Sequence, residues 1–507
     1  MKALIVGAGP VGLTLSHLLK RIGVSSLILE KDSHFTDHPK AHVLSSRSME
    51  IFNSIGISEE VYKQSPPDSQ WRQFIYTSSL SNQPYRVVDH FETQSYTQNK
   101  SLSNFPVTHL SQNKLVNILY NRLPSESKVL FNKEVESIVE GDTVKVLTKD
   151  KEEYEADFVI GCDGARSDVR RALNITKSIP IVEDNMQSIH FHSRQMTELA
   201  LKNPAMLYFC FNSKTLSVLV LHNADDAEFI LHNIYFPPLQ QTQDFNFQDL
   251  INSCAGTKVN DVQFKAVKVW KMSAGYTHSV GTNKVFLAGD SAHTTTPLGG
   301  FGMNLGIKDV NNLYWKLKYP ELLNTYGQER IPQSKAIGEK SSNFSLNIAQ
   351  SMKTIGLDTK IVYKLKDVMQ SVPFGKFIFN SALVFGQRYL ADFNKLREVF
   401  KHDENTVPLI FPEQDLLFRY KEGFVTPQGG RLAPLNTVEY KGKKVNLREL
   451  TEIVVDENKS PIFVRVNGKG KLPEFKYPVV DVQSNSDESF IIRPDSILYT
   501  ESKKDIN

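Results

Sequence analysis

Residues 1–12, MKALIVGAGPVG, decide the fold of this chain. Residues 3–6 form a short apolar run of the kind that becomes a buried parallel strand. The run leads directly into a GxGxxG motif that opens a helical pattern. In such a motif Gly7 permits a tight turn, Gly9 lets the backbone approach a pyrophosphate, and Gly12 lets the helix pack against the strand. The stretch therefore predicts a dinucleotide-binding strand, turn and helix, with Pro10 and Val11 at the helix N-terminus that faces the phosphates.

The second predicted strand, residues 26–30 (SLILE), ends on an acidic side chain. A carboxylate at this position can accept hydrogen bonds from ribose hydroxyls, which makes Glu30 a candidate, with Lys31 beside it. A glycine-rich turn without function is the alternative explanation of the motif. The motif does not distinguish NAD from FAD.

A second motif begins with residues 285–293, VFLAGDSAH, which predict a strand that ends on Gly-Asp. At the carboxyl end of a strand, Asp290 can hold a sugar-like polyol by charge-assisted hydrogen bonds. Residues 297–304, PLGGFGMN, follow, and their glycines let a backbone lie flat against a planar ring. The helix that starts there directs its positive end at such a ring. The candidates for contact with the ring are Pro297, Gly300, Gly302, Met303 and Asn304. A capped helix after a tight turn is the alternative.

A third motif, residues 159–170 (VIGCDGARSDVR), also predicts a strand, a turn and a helix start. Asp163 supplies its acidic side chain. Arg166 and Arg170 either form an ordinary solvated helix face or contact a second, phosphate-bearing nucleotide.

Composition excludes several classes of protein. The 507 residues contain 59 Lys and Arg against 56 Asp and Glu, a net charge of +3 that gives no basic stripe for nucleic acid. The three cysteines, Cys162, Cys210 and Cys254, form no disulfide framework and indicate a reducing compartment. The N-terminal strand leaves no room for a signal peptide, and no apolar stretch is long enough to span a bilayer. We therefore expect a cytoplasmic protein without a membrane span.

The order of the three motifs resembles that of the FAD-dependent aromatic hydroxylases of the p-hydroxybenzoate and phenol hydroxylase type, the group A flavoprotein monooxygenases. The resemblance runs from Met1 to about Pro332 and implies bound FAD. It places Gly7, Gly9 and Glu30 on the ADP half, Asp163 on the pyrophosphate side and Asp290 on the ribityl chain. It further implies basic residues near the flavin or pyrophosphate at Lys40 and Arg47, and Gln112 at the middle of FAD.

The resemblance also implies a chemistry. NAD(P)H, a transient co-substrate, reduces FAD, O2 forms a flavin C4a-hydroperoxide, and a small phenolic or related aromatic substrate takes one oxygen atom. Candidate substrate contacts are His42, Trp270 and Met272, each of which also suits an ordinary structural role; no catalytic residue is assigned. His190 and His192 share a strand face, but no third ligand is spaced to join them, so we expect no metal site. An FAD-dependent reductase or oxidase acting on a hydrophobic non-aromatic substrate is the alternative function.

The predicted fold class is α/β: a Rossmann-like FAD-binding domain interleaved with a β-rich substrate domain, then a helical segment and a C-terminal thioredoxin-like α/β domain. The predicted boundaries are 1–179 for the first part of the FAD-binding domain, with an insertion at about 75–105, 180–280 for the β-rich domain, 281–400 for the Gly-Asp region and helices, and 401–507 for the C-terminal domain. No cysteine follows Cys254, so that last domain cannot run dithiol chemistry. Packing or a homodimer contact is its expected role.

Overall fold

The structure is a computed structural model that describes residues 1–178, 183–468, 472, 474–484 and 488–501. The predicted boundary at residues 179–180 lies outside the described residues, as does the charged C-terminal tail.

A five-stranded parallel sheet forms the centre of the N-terminal domain. Its strands are, in spatial order, Val285–Leu287, Phe158–Gly161, Lys2–Val6, Ser25–Leu29 and Lys128–Leu130. All four neighbouring pairs are parallel, so the strands share one carboxyl edge. Helices Pro10–Arg21, Gln112–Asn121 and Phe301–Leu313 bury apolar side chains in the same hydrophobic core as these strands. The Rossmann-like part of the predicted fold class is confirmed.

A seven-stranded sheet forms the second layer. In spatial order its strands are Gln263–Ser273, Glu183–His192, Glu228–Ile234, Thr215–Asn223, Leu207–Asn212, Gln73–Thr77 and Arg86–Asp89. The residues of its first five strands fall within the predicted 180–280 domain. The last two strands come from the region of the predicted insertion at about 75–105. These two strands pair with each other in antiparallel fashion and form the edge of the sheet, and Phe74 and Ile75 bury side chains on its two faces.

The two faces of the seven-stranded sheet have different partners. Ile189, Phe191 and Leu231 pack on one face in a core that helices Arg194–Ala200 and Phe247–Ala255 cover. Side chains alternate along a strand, so Ser188 and His190 lie on the opposite face. Tyr76 and Phe209 share that opposite face, in a core that also contains Val43 from the FAD-binding region. A row of polar side chains is thus directed at the N-terminal domain.

Helices and short sheets complete the chain. The long helix Asn324–Thr354 is followed by Thr359–Met369 and Gly375–Phe385. The shorter helices are Ser46–Ser54, Ser58–Gln64, Gln94–Leu102, Asp168–Ala172, Leu396–Val399 and Pro412–Asp415. Val135–Glu140, Val144–Thr148 and Glu153–Ala156 form a three-stranded sheet, and Val43–Leu44 pairs with Thr108–His109, as Gly275–Tyr276 does with His293–Thr294. Among the described residues, none of the helices combines the length and apolarity needed to cross a membrane.

The C-terminal unit is a small mixed α/β structure. It comprises the hairpin Thr437–Tyr440 and Lys443–Asn446, the helix Leu447–Asn458, and a sheet ordered Val479–Gln483, Phe463–Asn467, Phe490–Ile492 and Leu498–Glu501. The first pair in that sheet is parallel and the other two are antiparallel. Its assignment as thioredoxin-like stays a prediction.

Candidate functional site

The three motifs meet at the carboxyl edge of the five-stranded sheet. The Cys162 amide donates to Val6 O at 2.7 Å, and the Ala288 amide donates to Gly161 O at 2.9 Å. The hydroxyl of Ser291 also donates to Gly161 O, at 2.6 Å. Residues that are about 290 positions apart in sequence therefore form one continuous surface, as expected for motifs at the ends of adjacent parallel strands.

The three glycines of the first motif have different surroundings. A Cβ on Gly12 would lie 2.1 Å from Gly7 O, and one on Gly7 would lie 2.5 Å from Cys162 O, so both positions require close backbone packing. A Cβ on Gly9 would meet nothing within 4 Å in the described part of the chain. Gly9 thus borders open space at the start of helix Pro10–Arg21, where no side chain caps the free amides.

Glu30 stabilises the glycine turn. Its carboxylate accepts from the Ala8 amide at 2.8 Å and from the Asp32 amide at 3.0 Å. A carboxylate has about four acceptor positions, so two remain for the predicted ribose contact. Lys31, which follows, is exposed.

Asp163 has one committed and one free oxygen. Its Oδ2 accepts from the amides of Asp168, at 2.7 Å, and Val169, at 3.1 Å, and so caps a short helix. Its Oδ1 is buried without a hydrogen-bond partner among the described residues, and burial raises the pKa of the carboxyl group. A buried acceptor of this kind normally has a partner. Arg166 is exposed, whereas Arg170 donates to Ser291 O at 2.9 Å and joins two of the motifs.

Asp290 is exposed, whereas most of the loop that follows it is buried or half-buried. The Asp290 carboxylate is exposed and accepts no hydrogen bond from the described residues. Lys177 donates to its backbone oxygen at 3.0 Å, and burial together with Arg170 lowers the pKa of Lys177 to about 8. Gly300 has a φ of 63°, and a Cβ there would lie 3.1 Å from Val43 Cβ. Helix Phe301–Leu313 therefore starts next to Val43 with uncapped amides.

The rest of this loop is held by side chains. Asn304 donates to Val43 O and accepts from the Ser45 amide, each at 2.9 Å, so its amide group is committed to the protein. Pro297 is exposed, Gly302 is half-buried and Met303 is buried. Thr296 donates from its hydroxyl to Ser341 O at 2.9 Å and so anchors the loop to the long helix.

The buried carboxylate of Asp309 holds the Gly-Asp motif in place, a role that was not predicted from the sequence. It accepts from the Gly289 amide at 3.0 Å, from His293 Nε2 at 2.5 Å and from Arg330 Nε at 2.7 Å. Burial alone would raise its pKa, but His293 and Arg330 lower it to about 2. The sequence signal that could have found it is a charged residue inside a buried helix.

The predicted basic residues are placed differently from one another. Lys40 is exposed. It lies close to Gln112, whose backbone N–H donates to Ala41 O at 2.8 Å. Arg47 is buried and forms an ion pair with Glu50 at 2.7 Å. Its other terminal nitrogen donates to Asp495 O at 2.7 Å. The guanidinium of Arg47 therefore binds the C-terminal unit and not the glycine-rich turn of residues 7–12.

His42, His109 and His222 form a cluster beside Val43, which adjoins the loop of residues 297–304, called the flavin loop below. Ring centroids are 5.0 Å apart for His42 and His109, 5.0 Å for His42 and His222, and 6.0 Å for His109 and His222. His109 pairs with Val43 across two short strands. Burial lowers the pKa of His109 to about 3 and those of His42 and His222 well below their usual value, so all three rings are neutral at pH 7. Both nitrogens of His109 and Nδ1 of His222 are buried without a partner in the described ranges.

The other predicted substrate residues lie on the same sheet face. Trp270 Nε1 donates to Ser188 Oγ at 2.7 Å, and that hydroxyl also contacts His232 Nδ1 at 2.8 Å. Trp270 is half-buried and Met272 is buried.

The prediction of no metal site rested on a missing third ligand, but pairing of strands brings Glu228 Oε1 to 3.1 Å from His190 Nε2.

Comparison with known proteins identifies the family. Residues 1–341 match the family model described as FAD binding domain. The chain belongs to this FAD-binding family. It is similar to the FAD-dependent monooxygenase apdD of Emericella nidulans, with 26% identity in an alignment of 393 positions that covers 71% of this chain and 63% of that protein. It is also similar to 2,4-dichlorophenol 6-monooxygenase of Delftia acidovorans, with 25% identity in an alignment of 382 positions that covers 70% of this chain and 65% of that protein.

These matches cover less than two thirds of the length of the curated relatives. Among solved structures, the flavin-dependent monooxygenase PieE in complex with FAD and substrate superposes with a TM-score of 0.77 at 20% identity, over 99% of this chain and 96% of that one. The likeness supports the predicted α/β fold class, with a Rossmann-like parallel sheet and a β-rich sheet, over nearly the whole chain.

The residues present fit FAD. Open space beside Gly9 and the uncapped helix at Pro10 suit a pyrophosphate, and the unpartnered Oδ1 of Asp163 lies at the same edge. The free carboxylate of Asp290 suits a polyol, and the uncapped helix after Gly300 suits a ring that gains negative charge on reduction. Arg47 and the amide of Asn304 act through the protein scaffold instead.

We expect Asp290→Ala to yield a folded protein that loses FAD during gel filtration. The exposed carboxylate has no protein partner to lose, but a charge-assisted hydrogen bond to the cofactor contributes about 1.5–3 kcal/mol, or about 10- to 100-fold in affinity. Absorbance of the flavin per mole of protein measures the loss. Asp142→Ala, at another exposed carboxylate, serves as the control. Full flavin retention by Asp290→Ala would show that this carboxylate does not contact FAD.

Proposed function

We propose that the protein is an FAD-dependent monooxygenase that uses NAD(P)H and O2 to hydroxylate a phenolic or related aromatic substrate. The observation that carries the proposal is the cluster of neutral imidazoles of His42, His109 and His222 next to the loop of residues 297–304, in which both nitrogens of His109 and Nδ1 of His222 have no partner among the described residues. Buried nitrogens without partners cost about 1–3 kcal/mol each, and a substrate with hydroxyl groups removes that cost. The names of the similar proteins, FAD-dependent monooxygenase and 2,4-dichlorophenol 6-monooxygenase, support the same reaction class.

The position of the cluster supports its role. Val43 contacts the site of the missing Cβ of Gly300 and pairs with His109, so one residue connects the flavin loop with the histidines. The apolar side chains of Phe209 and Tyr76 lie on the same sheet face, with ring centroids 4.5 Å apart. A face that combines flat apolar rings with a few polar nitrogens suits an aromatic ring that carries hydroxyl groups.

FAD, when bound, supplies the oxygen-transfer chemistry. The residues of this chain orient the substrate and control its protons. Nδ1 of His42 lies 3.2 Å from the sulfur of Met206, a weak acceptor for its proton, which leaves the lone pair of Nε2 for a phenolic hydroxyl. A hydrogen bond to that hydroxyl increases the electron density of the ring and so favours its attack on an electrophilic oxygen.

An FAD-dependent reductase or oxidase acting on a hydrophobic non-aromatic substrate is the second candidate. A purely hydrophobic substrate would leave the imidazole nitrogens unpartnered, which makes this candidate less favourable. Purified holoenzyme incubated with NAD(P)H and a panel of phenols distinguishes the two by product mass. A product heavier by one oxygen atom supports hydroxylation, whereas one heavier by two hydrogen atoms, from an olefin, supports reduction.

We expect His42→Phe to lower the product formed per NAD(P)H oxidised by about tenfold, because one buried hydrogen bond to the substrate is worth about 1–3 kcal/mol. The ring volume is nearly kept and no flavin contact is removed, so FAD content should equal that of the wild type. His402→Phe, at an exposed histidine, is the matched control. Unchanged coupling in His42→Phe would exclude His42 from substrate recognition.

Cytoplasmic location and a homodimer stay predictions. The three free cysteines support a reducing compartment, since two of them are buried and all are unpaired.

A further inference from the structure

We propose that His190, His192 and Glu228 bind a divalent transition-metal ion of the Zn2+ class at the end of the seven-stranded sheet. His190 and His192 are two residues apart on one strand and so lie on the same face. Glu228 pairs directly with His192 across to the next strand. One ligand atom from each of the three side chains lies within 4.8 Å of the others. Two imidazoles and one carboxylate are a donor set that Zn2+ prefers.

The ring of His192 is already oriented for a metal. Its Nδ1 donates to the backbone oxygen of Asp226 at 2.8 Å, which fixes the tautomer and leaves Nε2 for the ion. Metal-bound histidines usually donate their second nitrogen to a carbonyl or carboxylate in this manner. On the other side of the cluster, Nε2 of His190 lies 3.1 Å from Glu228 Oε1. The same two atoms would move apart slightly to bind one ion between them.

His38 supplies a second, independent observation. It is buried, its Nδ1 has no partner in the part of the chain that the structure describes, and its ring stands edge-on to His190 with centroids 5.5 Å apart. His38 is outside the group of three ligand atoms that lie within 4.8 Å of one another, so its ring would have to move toward them to complete a tetrahedral site of the structural type. His38 lies two residues before Lys40, in the segment that leads to Val43. An ion bound by His38 would therefore connect this segment to the seven-stranded sheet.

Nearby positive charge limits the affinity of the site. Lys268 pairs with Ser188 across the two strands, two residues from His190, and Lys40 is two residues from His38. Glu228 is the carboxylate that offsets this charge. Removing the charge of Lys268, an exposed residue that is not a ligand, should therefore strengthen metal binding.

The test uses the untagged, FAD-loaded full chain, stripped of metal with a chelator and dialysed against Zn2+ alone. We expect one ion per chain by elemental analysis and a higher unfolding temperature with Zn2+ than without it. His192→Ala, at a half-buried ligand, should weaken binding at least tenfold and abolish the thermal shift. Lys268→Gln should tighten binding a few-fold, a gain that a purely structural role for these histidines does not predict.

His34→Ala, at an exposed histidine outside the cluster, should bind Zn2+ as the wild type does. The proposal is overturned if the wild type retains no stoichiometric ion, or if His192→Ala and His38→Ala both bind Zn2+ with wild-type affinity, which would indicate adventitious surface binding. Flavin content and hydroxylation are measured separately, so failure of the metal site leaves the proposed function unaffected.

Discussion

Gly9→Ala is expected to fold like the wild type and to lose FAD. In the described chain nothing lies within 4 Å of a Cβ at Gly9, and the residue has φ of −77°, which alanine adopts without strain. Any effect on FAD binding must therefore come from the space that the added methyl group occupies where the cofactor would lie. Two displaced hydrogen bonds between backbone amides and a pyrophosphate are worth about 3 kcal/mol, or about a hundredfold in the Kd for FAD.

Two other glycines serve as matched controls. A Cβ at Gly12 would lie 2.1 Å from Gly7 O, so Gly12→Ala should lower the unfolding temperature of the FAD-free protein. Gly338, inside the long helix, also has an open Cβ position but is remote from the motif, so Gly338→Ala should retain FAD. Titration of the FAD-free proteins with FAD, followed by flavin fluorescence, gives the Kd. Equal Kd values for Gly9→Ala and Gly338→Ala would show that the pyrophosphate does not approach Gly9.

The sequence could predict the flavin edge because that edge is local. Each motif consists of a buried strand and the turn that follows it, and adjacent parallel strands place their carboxyl ends together. The location of Asp163 and Asp290 at this edge could thus be predicted before any contact was known, whereas their contacts with FAD stay predictions. Their separate environments, one oxygen buried and one carboxylate exposed, depend on packing and were not visible in the sequence.

The remaining features depend on residues that are distant in sequence. Strand Gln73–Thr77 joins Leu207–Asn212, which turned a predicted insertion into the edge of a sheet. Glu228 reaches His190 only because their strands pair, so a search by sequence spacing could not find it. Arg47 finds the backbone of Asp495, 448 residues away, although its local motif suggested a cofactor contact. Hydrophobic and polar patterns specify elements, but the order of strands in a sheet determines which polar side chains meet.

The C-terminal unit illustrates the same point, because a buried ion cluster makes it part of the fold. Arg493 donates two hydrogen bonds to Glu329 at 2.9 Å, and Lys316 donates to the same carboxylate at 3.0 Å. The side chains of Arg493, Glu329 and Lys316 are fully buried. Asp495 pairs with Arg493 at 2.6 Å and balances the second cation. An appendage with its own stability would not place its charges inside its neighbour.

Glu329→Gln is therefore expected to destabilise the whole protein by about 3–5 kcal/mol, because it leaves two buried cations with one carboxylate between them. Thermal unfolding followed by circular dichroism should show a large decrease in the midpoint. Glu398→Gln, at the exposed ion pair with Lys401, should change stability by less than about 0.5 kcal/mol. A variant in which only the C-terminal unit unfolds early would mean that this unit is an independent domain.

The pH dependence of stability gives an independent measurement of the same cluster. Burial raises the pKa of Glu329, but Arg493 and Lys316 outweigh it and lower the pKa from 4.5 to about 2. A carboxyl group whose pKa is lower in the folded state stabilises the protein above its unfolded pKa and loses that contribution as the pH falls through its folded pKa. Between about pH 4.5 and 2, wild-type stability should therefore decrease more steeply than that of Glu329→Gln. Equal slopes for the two proteins would show that Glu329 does not carry its charge inside the cluster, and the C-terminal unit would then be held by packing alone.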